Sequence, residues 1–275
     1  MSRRFMLFYG SFLMLAASLA MGADSQSPPK LTAEQVIEKN VAARGGLQAW
    51  RAVQSLSISG KMDAGGNESK TRPVPGVRTG GTQLPRRPAE QAQLPFRLEL
   101  KRERKQRLEI DFRGQTAIQV FDGAHGWKLR PYLNRYEVEP FTADETKAMA
   151  LQSDVDGPLV DYAAKGTKAE LEGTEKVDGK DNYRLKLTFK NGASQHVWVD
   201  AGTFLETKIE GTPRRLDNKY HSVEIYYRDY RTVSGVKVPY LTETKVQGIS
   251  QAEKIQVEEV AVNARVEDSR FAKLQ

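Results

Sequence analysis

The chain of 275 residues contains no cysteine. It therefore has no disulfide, no cysteine nucleophile and no thiolate metal ligand. An exported protein without disulfides must be held together by core packing alone. The composition allows this, because 39% of the residues are hydrophobic and 28% are charged, as in ordinary globular proteins with a sizeable core.

Signatures of catalysis and metal binding are also missing. The three histidines, His125, His196 and His221, stand alone in turns or at strand edges, without metal-ligand spacing. There is no Gly-x-Ser-x-Gly elbow, phosphate-binding loop or His-Glu-x-x-His motif. Asp154 and Asp156 are too few carboxylates for a calcium loop. We therefore predict no enzyme, no cofactor and no metal site, although acid–base chemistry by a carboxylate pair stays open.

The chain has a single long hydrophobic run, from Phe5 to Ala20, which follows Arg3 and Arg4. Small residues follow at positions 20–23, so the pattern predicts a secretory signal peptide over residues 1–23. A retained membrane anchor is the alternative. No cysteine follows the predicted signal, which excludes lipid attachment there. We expect a soluble periplasmic protein with one domain over residues 24–275.

The net charge is +7, and loss of Arg3 and Arg4 with the signal would leave about +5. In an exported chain this charge favours anionic lipid head groups or an acidic partner surface over nucleic acid. A basic solvated surface without a specific partner is the alternative. We predict no nucleic-acid binding.

The stretch 31–62 has the pattern of a helix, a glycine break, a short second helix and a strand. Thr32 and Gln35 form a predicted capping box. Gly45 and Gly46 end the first helix, since glycine adopts left-handed backbone conformations without a Cβ penalty. From Leu56 the period changes to two, so that Leu56, Ile58 and Met62 share one face of a strand.

The stretch 63–95 is rich in glycine, proline and arginine and has no periodicity. It cannot bury enough apolar surface to offset its ordering entropy, so we predict a mobile basic insert. Docking of this insert on a membrane or a partner is the functional alternative.

Short alternating segments separated by turn residues fill the remainder of the chain. Between them, residues 141–165 resemble a helical insertion with a second capping box, Thr142 with Glu145. The pattern predicts a mainly β protein with some α structure (α+β). We expect about ten to eleven antiparallel strands in one curled or half-closed sheet, with helices on its concave side.

Such a concave apolar face suits the carriage of something apolar. Exposing an acyl chain to water costs about 0.8 kcal/mol per CH₂, which is prohibitive for a three-chain lipid with on the order of 45 methylenes. A helix that swings away would open the sheltered space. Use of the same residues as ordinary core is the alternative.

Linked motifs carry a resemblance to a known family. They are Phe121–Trp127 (FDGAHGW), Asp156–Tyr162 (DGPLVDY), Tyr230–Tyr240 (YRTVSGVKVPY), Val262–Asn263 and Asp268–Phe271 (DSRF). In this order they resemble the outer-membrane lipoprotein-sorting proteins, which are similar to the LolA/LolB-like lipoprotein carriers of Gram-negative bacteria. The likeness spans essentially the whole chain after the predicted signal.

The resemblance implies an incomplete antiparallel β-barrel whose apolar cavity is covered by helices. It implies a periplasmic carrier that binds lipoprotein acyl chains or other lipids and ferries them toward the outer membrane. The implied partners are an inner-membrane transporter and an outer-membrane acceptor, with transient membrane contact. The insert at 63–95 departs from the family pattern. The strand arginine that closes the lid of the classical carrier is not clearly matched, and Arg97 and Arg107 are its candidates.

We therefore predict nine residues that line the cavity: Trp50, Leu56, Ile58, Met62, Phe96, Leu98, Leu108, Ile110 and Phe112. Gly45 and Gly46 are the predicted hinge of the lid. We expect a monomer that carries lipid or lipoprotein cargo. The alternative function is a non-enzymatic periplasmic accessory or sensor domain that binds a protein partner with the same fold. A hydrolase is a third and more distant possibility.

Overall fold

The computed structural model describes residues 31–64, 92–216 and 218–274. The predicted signal peptide and residues 65–91 of the predicted insert lie outside the described residues. The helices are α1 (Ala33–Ala43), α2 (Leu47–Ala52) and α3 (Ala143–Gln152). The strands are β1 (Ser55–Ala64), β2 (Ala92–Lys101), β3 (Lys105–Phe112), β4 (Gln115–Phe121), β5 (Gly126–Arg130), β6 (Arg135–Pro140), β7 (Lys168–Val177), β8 (Lys180–Thr188), β9 (Ser194–Asp200), β10 (Glu206–Leu216), β11 (Lys219–Val233), β12 (Val236–Val246) and β13 (Glu253–Val262).

Both predicted capping boxes are confirmed. In α1 the backbone N–H of Gln35 donates to Thr32 Oγ1 over 3.3 Å, and the N–H of Thr32 donates to Gln35 Oε1 over 3.0 Å. The N–H of Thr142 donates to Glu145 Oε2 over 2.8 Å in the same arrangement at α3. These contacts satisfy backbone donors that have no partner inside the helix, and they set where each helix begins.

All strands belong to one antiparallel sheet with the order β6-β5-β4-β3-β2-β1-β13-β12-β11-β10-β9-β8-β7. β6 and β7 are the two edges, so the sheet is open. The first strand pairs with the last, with Leu56 opposite Val262. The chain therefore forms two meanders of neighbouring strands that join along β1 and β13.

The sheet has 13 strands, so the prediction of ten to eleven was too low. One strand that the sequence pattern did not indicate is β6, which is an edge strand with mostly exposed or half-exposed residues. An edge strand of this kind has no buried face and therefore lacks the apolar alternation by which strands are recognised.

The predicted insert was too wide at both ends. β1 continues through Asp63 and Ala64, and β2 begins at Ala92, which lies opposite Ala64. Pro95 lies within β2, opposite Lys61. Composition alone favoured a loop here, because pairing with a distant strand leaves no signal in the local sequence.

A small second core lies on the outer face of the sheet. The segment that follows β13 places Val266 and Phe271 against Val120, with Trp127 partly buried beside them. Two of the motifs that carry the family resemblance, Phe121–Trp127 and Asp268–Phe271, thus meet in one cluster. The C-terminal segment is part of the packed structure.

Candidate functional site

A cavity of about 390 Å³ lies on the inner face of the sheet, a volume within the range of small-ligand sites. Its walls come from β1, β2, β3 and β9 through β13, which means that the sheet curves around it. Arg44 and Trp50 from the first helical region also line it, as do Leu151, Val155 and Pro158 from α3 and the segment after it.

The strand walls contain apolar side chains that are not fully packed. Ile58, Met62, Leu98, Leu108 and Ile255 line the cavity and are only half-buried. Apolar side-chain surface that stays exposed to water costs about 25 cal/mol per Å² relative to the same surface when buried. An apolar ligand that covered these side chains would recover that free energy. Fully buried core residues have no such surface left to cover.

The structure brings together seven of the nine residues predicted for the cavity: Trp50, Leu56, Ile58, Met62, Phe96, Leu98 and Leu108. Ile110 and Phe112 do not line it. They lie farther along β3 on the same face as Leu108, because alternate residues of a strand share a face. The alternation located the face correctly but could not show where along β3 the cavity ends.

Sequence reasoning missed the half of the wall that β9 to β13 contribute. Its apolar members are Val197, Ile209, Ile225, Val238, Ile255, Val257 and Val260. The same alternation of apolar and polar residues marks these strands. Their place in the cavity depends on the pairing of β1 with β13, which closes the two meanders onto one space.

One end of the cavity is polar. Nη1 of Arg44 donates to Oε1 of Glu206 over 3.0 Å, and both side chains are almost fully buried. The hydroxyl of Tyr230 donates to Oε2 of Glu206 over 3.3 Å. The Arg44 guanidinium also lies 4.3 Å from the centroid of the Trp50 ring. The positive charge is therefore balanced by a carboxylate and an aromatic face.

The two tyrosines at this end stay protonated. Burial, together with the charge of Glu206, raises the pKa of Tyr227 to about 12. Burial first, and then Glu206, also raises the pKa of Tyr230 well above its usual value. This end of the cavity consequently presents hydroxyl groups and one internal ion pair, and it carries no net charge from these four residues.

Asp156 ties the segment after α3 to the rest of the protein. Its carboxylate accepts from Arg102 Nη1 and from Lys165 Nζ, each over 2.5 Å, and its carbonyl oxygen accepts from Arg44 Nη1 over 3.0 Å. The side chain of Asp156 is only 1% exposed. Two cations thus compensate a buried carboxylate that holds this segment over the cavity.

Helix α3 is attached more loosely, because none of its residues is buried. Near its start, Lys128 on β5 donates to both carboxylate oxygens of Glu145, over 2.5 and 2.6 Å. Near its end, Gln152 Nε2 donates to Thr212 Oγ1 over 3.4 Å. Partial burial raises the pKa of Glu145, but hydrogen bonds from Lys128 and from the Thr142 backbone outweigh it, so this pKa lies below its usual value.

The two candidate gating arginines do not reach the cavity. Arg97 is exposed and alternates along β2 with Phe96 and Leu98, which face inward. Arg107 donates to Glu109 Oε1 over 2.6 Å and to the Arg270 carbonyl over 3.1 Å on the outer face. Their strand positions have outward-facing parity, so neither side chain faces the cavity, and the identity of a gating arginine stays a prediction.

The two arginines that bind Asp156, in the segment after α3, lie outside the strands. Arg44 follows helix α1, and Arg102 lies in the turn between β2 and β3. The guanidinium of Arg102 also donates to the carbonyl oxygens of Trp50 and Val53. The sequence-based candidates, Arg97 and Arg107, were both chosen from strands, so neither Arg44 nor Arg102 was predicted.

Gly45 and Gly46 differ in their surroundings. Both have positive φ, +115° and +92°. A Cβ on Gly45 would lie 2.2 Å from the Gly235 carbonyl oxygen, whereas one on Gly46 would meet nothing within 4 Å. Beside them, the Arg44 carbonyl accepts from the backbone N–H of Lys237 over 2.8 Å. Gly45 is thus needed for close approach to the turn between β11 and β12, and a hinge role stays a prediction.

Two further searches covered the described part of the chain. Within residues 31–64, 92–216 and 218–274, no three histidine or acidic side chains are grouped so that they could hold a metal ion. In the same residues, no helix combines the length and apolar character that crossing a bilayer requires.

No protein-family model matches the sequence, and no curated protein matches it either. Solved structures do match. A LolA superfamily protein from Nitrosomonas europaea has a TM-score of 0.53 at 13% identity, over 89% of this chain and 99% of that chain. An outer membrane lipoprotein-sorting protein domain from Vibrio parahaemolyticus has a TM-score of 0.54 at 14% identity, over 88% and 96%. The chain has the LolA fold.

A DUF1329 family protein from Desulfovibrio piger matches to a similar degree, with a TM-score of 0.52 at 14% identity, over 87% of this chain and 97% of that chain. The resemblance noted in the sequence motifs is thus confirmed as a likeness to LolA-type proteins at the level of the fold. Identities this low concern the fold and carry no information about the ligand.

Proposed function

We propose that this protein is a non-enzymatic periplasmic carrier that binds lipoprotein acyl chains or other lipids in its cavity. The observation that carries the proposal is the wall of half-buried apolar side chains, with Ile58, Leu98 and Leu108 as members, inside a cavity of about 390 Å³. An acyl chain placed there removes its own surface and that of the wall from water.

The cavity is chemically divided, which favours a ligand with an apolar chain. Residues from β1, β2 and β13 form its apolar part, with Met62 and Ile255 opposite each other in the pairing of β1 with β13. The Arg44–Glu206 pair and two tyrosine hydroxyls occupy the other end. A hydrocarbon chain in the first part would contact the apolar side chains of these three strands.

Helix α3 is the proposed door of the cavity. It has no buried residue, and Leu151 near its end lines the cavity. Because few contacts oppose its departure, α3 can open at low cost, whereas the segment held by Asp156 stays in place. Opening of this helix would admit a chain without disturbing the sheet.

The location and partners belong to the same proposal. The predicted signal peptide supports the periplasm, and the fold is shared with a structure described as an outer membrane lipoprotein-sorting domain. Cargo would pass from an inner-membrane transporter to an acceptor at the outer membrane.

The decisive experiment measures binding of a fluorescent fatty acid to the purified protein. Leu98→Trp fills the apolar part of the cavity without introducing a buried charge, so we expect affinity to fall by about tenfold or more. Mass spectrometry of lipids extracted from periplasmic preparations provides a second measurement, and we expect acyl species bound to the wild type.

Arg97→Trp is the matched control, because position 97 is adjacent in β2 but exposed on the opposite face. It should leave the affinity unchanged, and the melting temperatures of both variants must match the wild type. A wild-type protein that binds no fatty acid and yields no extracted lipid would contradict the proposal. Co-purification of a stoichiometric protein partner without lipid would instead favour the accessory-domain alternative.

A further inference from the structure

The apolar face of β3 continues beyond the cavity. Leu108 lines the cavity, and Ile110 and Phe112 follow on the same face, both half-buried. Ile110 lies opposite Phe96, which is itself a cavity residue. The two residues therefore extend the apolar wall outward toward the turn between β3 and β4.

This apolar face ends at two exposed hydrophobic side chains. Phe112 lies opposite Gln115, and Nε2 of Gln115 donates to the Tyr136 hydroxyl over 3.3 Å. Tyr136 is 63% exposed, and Leu133, in the short 3₁₀ turn that precedes β6, is 50% exposed. In the described part of the chain, the third exposed large hydrophobic residue is Tyr220, on the hairpin of β10 and β11.

Cations flank the same surface. The guanidinium of the exposed Arg113 lies 5.1 Å from the centroid of the Phe112 ring. The side chain of Arg135 is 55% exposed, and its Nη1 lies 3.5 Å from Oε1 of Glu139. We call the surface formed by Phe112, Arg113, Leu133, Arg135 and Tyr136 the apolar rim.

The side chains of the apolar rim are of the kind that suit a membrane interface. Tyrosine places an apolar ring and a polar hydroxyl at the level of the head groups, and leucine inserts among the acyl chains. Arginine extends its apolar stem along such a surface and reaches anionic phosphates with its guanidinium. Because the rim is continuous with Ile110 and the cavity, a chain moving between a bilayer and the cavity along this face stays in contact with apolar side chains.

We propose that the apolar rim docks on the surface of a lipid bilayer and is the point at which an acyl chain enters or leaves the cavity. This inference rests on the proposed carrier function and adds the membrane-facing surface to it. The contact involves few side chains, so it is weak and reversible, as exchange of cargo requires.

The test compares the full-length protein with the double variant Leu133→Ser/Tyr136→Ser. Co-sedimentation with vesicles of phosphatidylethanolamine and phosphatidylglycerol measures binding, and we expect the double variant to lose at least about tenfold. Transfer of a fluorescent fatty acid from the protein to the same vesicles should slow by a similar factor. Affinity for the fatty acid in solution should not change, because neither residue lines the cavity.

Tyr220→Ser is the matched control, since Tyr220 is 69% exposed and lies on a different hairpin. It should bind vesicles and transfer the fatty acid like the wild type. Equal vesicle binding by the wild type and the double variant, or an equal loss in Tyr220→Ser, would overturn the inference. So would a wild-type dimer, seen by sedimentation velocity, that the double variant abolishes, since the rim would then be a self-association surface.

The two proposals fail in different ways. A wild-type protein that binds fatty acid in solution but does not bind vesicles overturns only the docking surface. A wild-type protein that binds no fatty acid and yields no extracted lipid overturns the carrier function, whatever its behaviour with vesicles.

Discussion

Arg44 shows how one side chain can connect three parts of this protein. Its guanidinium contacts Glu206 on β10, the carbonyl of Asp156 in the segment after α3 and the ring of Trp50 in α2. Burying both members of an ion pair is expensive, and the pair is tolerated because each partner compensates the other. Loss of one partner leaves the other charged and unpaired at the polar end of the cavity.

A double-mutant cycle tests this interpretation. Arg44→Met should reduce the free energy of unfolding by about 3–5 kcal/mol, because Glu206 stays buried without its cation. Combining it with Glu206→Leu should recover a large part of the loss. Urea unfolding measures both, and strictly additive losses would show that the two side chains are not energetically coupled.

The two adjacent glycines provide a second prediction at the residue scale. Gly46→Ala should reduce the free energy of unfolding by about 1–3 kcal/mol, because its φ of +92° and ψ of +158° lie in a region that essentially only glycine adopts. Gly45→Ala adds a clash with the Gly235 carbonyl, so the loss should be at least about twice as large. Equal losses in urea unfolding would mean that the turn between β11 and β12 yields easily. Gly46→Ala is consequently the cleaner variant for testing a hinge.

Among the elements, α3 is held by its ends and not by its face. Lys128 is almost fully buried and binds Glu145, while the residues of α3 make no buried core. An attachment of this kind can be released by one local event without loss of core packing. The strands that line the cavity have no comparable freedom, because each is paired on both sides.

Removing the contact between α3 and β5 should loosen the helix. In Glu145→Gln the amide cannot balance the charge of Lys128, so we expect lower hydrogen-exchange protection over residues 146–152 and faster exchange of bound fatty acid. Asp144→Asn is the control, since it removes a charge from the same first turn of the helix but leaves the Lys128 contact intact. Equal effects in the two variants would assign the result to the helix dipole.

The same contact predicts a dependence on pH. The pKa of Glu145 is lower in the folded protein than its usual value of about 4.3. Its contribution to stability is therefore fully present above that usual value and is lost as pH falls through the lower folded pKa. Protection factors of α3 should be constant between about pH 5 and 7 and fall below about pH 4. A fall that begins near pH 6 would point to a different group.

For the whole molecule, the pairing of β1 with β13 joins the two halves of the sheet. Contacts between the ends of a chain form late and carry a large loop-closure entropy. The C-terminal segment adds Phe271 to the outer cluster with Val120. Completion of the cavity therefore depends on the last part of the chain.

Two truncated chains separate these contributions. A chain ending at Gln251 lacks β13, leaves β1 and β12 each unpaired along one edge, and should show no cooperative thermal unfolding by circular dichroism. A chain ending at Asn263 keeps β13 and should still unfold cooperatively, at a lower melting temperature, because the outer cluster loses Val266 and Phe271. Cooperative unfolding of the shorter chain would show that the half from β7 to β12 folds alone.

The sequence alone determined what short-range patterns encode. The capping boxes at Thr32 and Thr142, the glycine break after α1 and the inward faces of β1, β2 and β3 were all predicted, because each depends on residues a few positions apart. Only the tertiary structure decided the rest. The second wall of the cavity, its end at Leu108 and the roles of Arg44 and Arg102 depend on which distant strands pair, and pairing partners leave no trace in local periodicity. The edge strand β6 has no buried face and so lacks the alternation that would reveal it.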